Sequence, residues 1–100
     1  LDIYHVWWDE SLEAEIIRCG KNDHLFAVHI CDWRYPTRDF LNDRTLMGRG
    51  ILDIQTFINW VTEAGFEGFF EVEIFSDEYW AMDQDVYLRE IIDAYLKYSI

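Results

Sequence analysis

Basic residues are scarce in this chain of 100 residues, which has 8 lysines and arginines against 20 aspartates and glutamates. The net charge of −12 repels the phosphate backbone of nucleic acids, so we expect no nucleic-acid partner. Long apolar runs are also lacking. None approaches the ~20 residues that a membrane helix needs, so we expect no membrane partner. No basic and then apolar leader opens the chain, and we expect a cytoplasmic location without a secretory signal.

Cysteine and proline are rare as well. The two cysteines, Cys19 and Cys31, form neither a disulfide framework nor a CxxC redox or zinc motif. The one proline, Pro36, lies in the long polar segment 32–50, and a segment of this length is typical of a functional loop. What the chain does contain is 51% hydrophobic and 18% aromatic residues, which indicates a globular domain with one small core.

Three apolar segments alternate with three helical patterns along the chain. The predicted strands are 1–7, 25–31 and 68–75, with the sequences LDIYHVW, LFAVHIC and GFFEVEIF. The predicted helices are 12–19, 54–64 and 83–98, with candidate caps at Gly20, Asp53, Gly65 and Asp83. The order β-α-β-α-β-α predicts an α/β fold of three parallel βα units, which make an arc and not a closed barrel.

Ionisable side chains occur in all three predicted strands. Strand by strand they are Asp2 with His5, His29 with the following Asp32, and Glu71 with Glu73. Each of these residues alone is weak evidence for a site, because a histidine in an apolar strand is often a core residue and an aspartate often caps a turn. Parallel strands place their carboxyl ends at one edge, so the repetition favours a shared site. Its oxygen and nitrogen ligands suit Mn²⁺, Co²⁺, Mg²⁺ or Zn²⁺.

Aromatic and basic residues after the strands are candidates for substrate contact. Trp7, Trp8 and Trp33 follow predicted strand ends, where their rings can pack on the C–H faces of a sugar, whereas Trp60 in a helix is explained by packing. Four arginines lie in the loop: Arg34, Arg38, Arg44 and Arg49. They either bind a substrate hydroxyl, carboxylate or phosphate, or are ordinary solvated charges.

The residues alone leave two choices open. Glu71 and Glu73 are two apart in one predicted strand and share a face, so the pattern does not prefer either as a ligand. Gly48 and Gly50 belong to a GRG sequence that either binds phosphate or only shapes the loop. Cys31 is expected to be a small core residue.

Four segments resemble the xylose isomerase-like TIM barrels. They are LDIYHVWWD, FAVHICDW, NDRTLMGRGILD and AGFEGFFEVEIFS. This superfamily contains sugar-phosphate isomerases and epimerases, ketose 3-epimerases and inosose dehydratases, with AP endonuclease family 2 as relatives. The resemblance covers essentially all 100 residues. It implies that residues 1–100 are a single incomplete domain, the C-terminal portion of a (β/α)8 barrel cut from something longer.

The resemblance also implies roles for individual residues. Asp2, His29 and Glu73 would be three of four ligands of a divalent metal, the fourth being a glutamate on a strand before Leu1. This choice favours Glu73 over Glu71, and Glu73 would also carry the proton. His5 and Arg44 would contact the substrate, beside the aromatic candidates named above. Compared with the simpler epimerase pattern of the family, this chain has DWRYPTRDFL inserted before NDR. Arg34 could therefore replace or assist Arg44 in contacting the substrate.

The implied chemistry is proton abstraction next to a carbonyl. A divalent metal acidifies that C–H bond and stabilises the enediolate, so we expect a sugar or sugar-phosphate isomerase or epimerase. An inosose-dehydratase-type lyase acting on a cyclitol is an alternative, since loss of water starts from the same step. A second alternative is a non-catalytic barrel fragment that forms a homo-oligomer or binds its missing half. A DNA-repair endonuclease shares the fold but needs a basic groove.

Overall fold

The computed structural model describes residues 1–100. In chain order the elements are a 3-10 turn Ile3–His5, α1 Leu12–Lys21, β1 Val28–Ile30, β2 Asp32–Trp33, β3 Arg44–Thr45, α2 Ile54–Glu63, β4 Phe70–Val72, α3 Asp77–Trp80 and α4 Gln84–Tyr95. No helix among them has both the length and the apolar character that a membrane crossing requires. The chain contains both helices and strands, which confirms the mixed α and β content predicted from the sequence.

The sheet is smaller than predicted. Strand β1 pairs in parallel with β4, and the central pair of this register is His29 opposite Glu71. On the other edge of β1, a single parallel bridge joins Asp2 to His29. Strands β2 and β3 form a separate antiparallel ladder in which Trp33 lies opposite Arg44. The structure therefore shows two parallel strands and does not confirm three parallel βα units.

Residues 1–7 are not the strand that their apolar pattern predicts. Asp2 is extended, but its Oδ1 then accepts a hydrogen bond of 2.9 Å from the backbone N–H of Tyr4. The chain turns there into the 3-10 turn Ile3–His5, because a short polar side chain that bonds to the backbone competes with a strand ladder. Ile3 and Tyr4 are nevertheless buried. The apolar pattern thus predicts the burial of this segment correctly and its backbone incorrectly.

The segment 32–50 is more regular than predicted, since it contains the β2–β3 ladder. The strands predicted at 25–31 and 68–75 shorten to Val28–Ile30 and Phe70–Val72. A four-residue helix, α3, was not predicted; Ser76 caps it by accepting a hydrogen bond from the backbone N–H of Tyr79. Short elements of this kind are set by tertiary contacts and leave little periodicity in the sequence.

The three long helices lie where the sequence predicts them, with differences at their ends. Asp53 and Asp83 cap α2 and α4 by accepting hydrogen bonds from backbone N–H groups of the first turn. Gly65 follows α2 at φ +93°, a conformation that favours glycine. Gly20, in contrast, is not a cap, because α1 continues to Lys21. A Cβ at Gly20 would lie 2.2 Å from the carbonyl oxygen of Ala64, so glycine allows α1 and α2 to approach closely.

One hydrophobic core joins these elements. It holds 18 buried residues, and among them Val28 and Ile30 of β1 and Ile58 and Val61 of α2 are fully buried. Burying such a side chain contributes about 1.5–3 kcal/mol each. Strand β1 is therefore held by two fully buried side chains, and it carries His29 on the opposite side from this apolar pair.

Candidate metal centre

Three side chains converge beside the carboxyl ends of the two parallel strands. They belong to Asp2, His29 and Glu73, and each offers a ligand atom that lies within 4.8 Å of the other two. His29 is in β1, Asp2 is bridged to it, and Glu73 follows the last residue of β4. The sequence prediction named these three residues as metal ligands, and the structure places them together.

A buried arginine lies against the same carboxylates. Arg44 is 2% exposed, and its Nη1 donates to Asp2 Oδ2 at 2.9 Å and to Glu73 Oε2 at 3.1 Å. Burial alone would lower the pKa of the Arg44 guanidinium, but the charges of Asp2 and Glu73 outweigh burial and raise it. Arg44 is therefore a permanent cation that bridges the two carboxylates.

Two aromatic rings fix the guanidinium in place. Its Cζ lies 4.3 Å from the ring centroid of Tyr4 and 4.8 Å from that of Phe75. Contacts of this kind favour a cation over the face of a ring. Trp33 stacks on Tyr4 with centroids 4.7 Å apart, and Trp7 lies 5.4 Å from Trp33. Two of the three tryptophans predicted to contact substrate, Trp7 and Trp33, thus belong to one aromatic cluster beside Arg44.

His29 lies between two glutamates. Its Nδ1 is 3.3 Å from Glu73 Oε2, and its Nε2 is 3.3 Å from Glu71 Oε2. Glu71 therefore contacts the other ring nitrogen and is not among the three converging side chains. The strand pattern alone does not choose between Glu71 and Glu73 as a ligand. In the structure Glu73 lies inside the cluster and Glu71 lies outside it.

His5 lies at the open side of the cluster. Its side chain is 63% exposed, and its Nε2 is 3.8 Å from Asp2 Oδ2. The same nitrogen lies 3.3 Å from Arg44 Nη2. An exposed imidazole beside a buried cation and a carboxylate is accessible to a ligand from solvent.

Asp32, another candidate ligand from the sequence, is engaged elsewhere. Its carboxylate is fully buried: Oδ1 accepts hydrogen bonds from the backbone N–H groups of Trp33 and Leu52, and Oδ2 from those of Gly48 and Gly50. A Cβ at Gly50 would lie 2.3 Å from Asp32 Oδ1. The GRG turn therefore surrounds a carboxylate of its own chain, which fills the place that a phosphate would need.

The other loop arginines lie away from the cluster. Arg34 Nε is 3.0 Å from Asp43 Oδ1, and Arg34 and Arg38 both contact Glu78 Oε2, at 3.2 and 2.7 Å. Burial alone would raise the pKa of Asp43, but hydrogen bonds from Arg38 and the charge of Arg34 lower it. This ion-pair network stabilises the loop, and it leaves Arg44 as the loop arginine at the cluster, in place of Arg34.

The two remaining candidates for substrate contact, Arg49 and Trp8, are separate from the cluster. Arg49 pairs with Glu90 through Nη1 and Oε2, 3.1 Å apart. Trp8 is 57% exposed and meets Trp7 edge to face. Neither residue is among the three converging side chains or the partners of Arg44.

The donor set of the cluster fits a divalent cation. Two carboxylates and one imidazole are ligands for hard to borderline metals such as Mn²⁺, Mg²⁺, Co²⁺ and Zn²⁺. The formal charges of Asp2, Glu73 and Arg44 sum to −1, so the cluster still attracts a cation although one arginine is present. Three protein ligands also leave coordination positions open for a further ligand and a substrate.

Comparison with known proteins places this arrangement in a family. Residues 1–98 match the family described as Xylose isomerase-like TIM barrel. The chain belongs to this family. The crystal structure of protein SMc04130 from Sinorhizobium meliloti 1021 is similar, with a TM-score of 0.93 and 43% sequence identity. The match covers 96% of this chain and 35% of that chain, so the chain spans about a third of that protein's length. No curated protein matches the chain significantly.

Membership of the xylose isomerase-like family agrees with the place of the cluster. Active sites of TIM barrels lie at the carboxyl ends of the strands, where His29 and Glu73 are found here. Sequence reasoning missed the role of Tyr4 and Phe75 in holding Arg44, because aromatic residues in apolar segments are read as core. The only signal was the closeness of both residues to candidate ligands along the chain.

Proposed function

We propose that this chain is part of a metal-dependent sugar or sugar-phosphate isomerase or epimerase. The observation that carries the proposal is the convergence of Asp2, His29 and Glu73, with the Arg44 guanidinium held against both carboxylates. The chain would be the C-terminal portion of a longer (β/α)8 barrel. A glutamate from a preceding strand would then complete the ligand set.

In this proposal Glu73 is both a ligand of the metal and the base of the reaction. A bound divalent metal supplies Lewis acidity to a substrate carbonyl and its neighbouring hydroxyl. The Glu73 carboxylate takes the proton from the carbon beside the carbonyl, or returns it, so that the substrate passes through an enediolate. The other catalytic glutamate, on the missing part of the barrel, would serve the opposite face of that carbon.

Arg44 and His5 would hold the oxygens of the substrate. Arg44 Nη1 is engaged by Asp2 and Glu73, so Arg44 Nη2, which lies beside the exposed His5, would donate to a substrate oxyanion. His5 is exposed at the open side and can donate to or accept from a hydroxyl. Trp7 and Trp33 would pack against the C–H surface of a sugar or cyclitol ring.

A lyase of the inosose-dehydratase type is the second candidate for the full-length protein. The same proton abstraction, followed by loss of a hydroxide ion as water, gives a dehydrated ketone instead of an epimer or isomer. For the 100-residue chain alone we propose that it has no activity. That view is supported by its share of 35% of the similar chain and by the exposed fractions of 84% for Phe26 and 86% for Phe69.

Titration calorimetry of Mn²⁺ into the full-length protein tests the metal site. We expect the unaltered protein to bind Mn²⁺ and the Glu73→Gln variant to lose that binding, because the amide carries no charge. Glu67→Gln is the matched control, since Glu67 is exposed and outside the cluster. Equal Mn²⁺ affinity in all three proteins, or none in the unaltered protein, would refute the proposed site.

The reaction class is tested separately. Candidate sugars and cyclitols are incubated with the protein in D₂O, and NMR follows uptake of deuterium at the carbon beside the carbonyl. Epimerisation, isomerisation and dehydration all exchange this proton, and the product then distinguishes them. Exchange that proceeds equally with Glu73→Gln would contradict the role of Glu73 as the base.

A further inference from the structure

The outer nitrogen of His29 has one polar partner in this structure. His29 Nε2 lies 3.3 Å from Glu71 Oε2, and no hydrogen bond or other ion pair engages the Glu71 carboxylate. The two residues are direct partners in the register of β1 and β4. The register of the sheet therefore places the two residues side by side.

Both ring nitrogens of His29 face a carboxylate at 3.3 Å, and an ionised carboxylate only accepts hydrogen bonds. The Glu73 carboxylate already accepts from Arg44, whereas Glu71 has no other partner, so we assign the ring hydrogen to Nε2. In a neutral imidazole, Nδ1 then has the free lone pair. Nδ1 is also the nitrogen on the Glu73 side, 3.3 Å from Glu73 Oε2. Two atoms that bind one metal at ~2.1 Å in cis positions lie about 3 Å apart, which is close to this spacing.

We propose that Glu71 is a positioning residue for the metal site: it holds His29 so that Nδ1 faces the ion while Nε2–H donates to the Glu71 carboxylate. This inference rests on the proposed metal centre described above. It assigns different tasks to two glutamates of one strand end, Glu73 as ligand and Glu71 as the support of a ligand. Carboxylates that support a metal-bound histidine in this way orient the ring and make it a stronger ligand.

An ordinary surface ion pair is the alternative role for Glu71, whose side chain is 61% exposed in this chain. Such a pair is weak and its loss changes little. The two roles differ in what they predict for metal binding. A positioning residue changes the affinity of the ion without contacting it, whereas a surface pair leaves that affinity unchanged.

The test compares four forms of the full-length protein. Mn²⁺ affinity is measured by calorimetry for the unaltered protein, Glu71→Ala, Glu71→Gln and the control Glu67→Ala. We expect Glu71→Ala to bind Mn²⁺ about 10–100-fold more weakly. Glu71→Gln should stay within about threefold of the unaltered protein, because its amide oxygen still accepts from Nε2–H. Glu67→Ala should not differ.

A spectroscopic measurement adds a readout that a purely structural role would not change. In the Zn²⁺-loaded protein, ¹⁵N NMR should show that Nε2 of His29 carries the ring hydrogen and that Nδ1 binds the metal. Coordination through Nε2, or unchanged Mn²⁺ affinity in Glu71→Ala, would overturn the proposal for Glu71. If Glu71→Ala does not fold, Glu71→Val keeps the β propensity of the strand and the same loss is expected.

The outcomes separate this inference from the proposed function. Mn²⁺ binding that depends on Glu73 but not on Glu71 refutes only the positioning role. A full-length protein that binds no Mn²⁺ refutes both. Weaker binding in Glu71→Ala, together with near-normal binding in Glu71→Gln, supports both.

Discussion

Arg44 is the residue on which most contacts of the site depend. It is a buried cation between two rings, and it binds carboxylates from two distant parts of the chain. Without it, Asp2 and Glu73 would face each other with no counter-charge. A metal ion placed between them would supply the same compensation. The cluster can therefore be examined through stability as well as through activity.

Replacing Arg44 by glutamine should destabilise the metal-free full-length protein by about 3–5 kcal/mol, because two carboxylates lose their buried partner. Added Mn²⁺ should recover part of this loss, since an ion that binds only the folded state stabilises it. Thermal unfolding with and without Mn²⁺ measures both effects. Arg38→Gln is the control, as Arg38 is 59% exposed and lies outside the cluster. No greater effect of Mn²⁺ on Arg44→Gln than on the control would contradict the idea.

Cys31 beside this cluster should be chemically inert. It is fully buried, and burial raises its pKa to about 12. At pH 8 almost no thiolate is present, so iodoacetamide should modify Cys31 far more slowly than the half-buried Cys19 in the folded protein. Mass spectrometry of the two peptides over time measures the ratio. Equal rates of modification in the folded protein, or faster modification of Cys31, would contradict the claim that Cys31 is buried and protonated.

The raised pKa of the Cys31 thiol predicts that the folded protein loses stability at alkaline pH. The pKa of Cys31 is raised from 9.0 to about 12 in the folded protein, so the unfolded chain ionises first as the pH increases. Its stabilising contribution is present below about pH 9 and is lost as the pH rises to about 12. Denaturation midpoints between pH 8 and 11 measure the decline. Cys31→Ala is the control, because it keeps the tyrosines and removes only this thiol; an unchanged slope would contradict the assignment.

The candidate site was predictable at the residues that carry charge within apolar segments. Asp2, His5, His29, Asp32, Glu71 and Glu73 stand out as ionisable groups in or next to apolar segments, and the resemblance to the family selects Asp2, His29 and Glu73 among them. Tyr4 and Phe75 were not predictable, since nothing in an aromatic residue within an apolar pattern distinguishes packing on a guanidinium from packing in the core. The sequence thus indicates the charged groups of the site but not the surfaces that hold them.

At the scale of elements, the contact between α1 and α2 depends on Gly20. Gly20→Ala should destabilise the protein by about 1–3 kcal/mol, because a methyl group would meet the carbonyl oxygen of Ala64 at 2.2 Å. Helix propensity alone predicts the opposite sign, a gain of about 1 kcal/mol. Chemical denaturation decides between them. Gly65→Ala is a useful comparison, since it meets no atom within 4 Å and costs only the strain of φ +93°.

Helices were predicted more accurately than strands, and the reason is physical. A helix of ten residues shows its buried face within its own sequence, as α2 does with Ile54, Phe57, Ile58 and Val61. A strand of two or three residues depends on a partner elsewhere in the chain. The segment 1–7 shows the limit, because one hydrogen bond from Tyr4 N–H to Asp2 is enough to turn an apolar, β-branched segment into a 3-10 turn.

At the scale of the whole molecule, two phenylalanines mark surfaces that a lone chain leaves in water. Phe26 and Phe69 are 84% and 86% exposed. We expect the isolated 100-residue chain to self-associate, because exposed aromatic surface of this kind favours contact between copies. Sedimentation velocity over a range of concentrations measures this. Phe26→Ser with Phe69→Ser should shift the chain towards monomer, and a monomer at all concentrations before substitution would contradict the expectation.

The ten residues between β2 and β3 are closed at their base twice, by the antiparallel ladder and by the Asp32 carboxylate that binds Gly48, Gly50 and Leu52. The position of Arg44 is therefore independent of how long this insertion is. Lengthening a surface loop costs little in closure entropy. Such a loop can vary in length and composition while Arg44 and the carboxylates that it binds stay where they are. The segment is therefore exchangeable, like an antibody loop grafted onto a fixed framework.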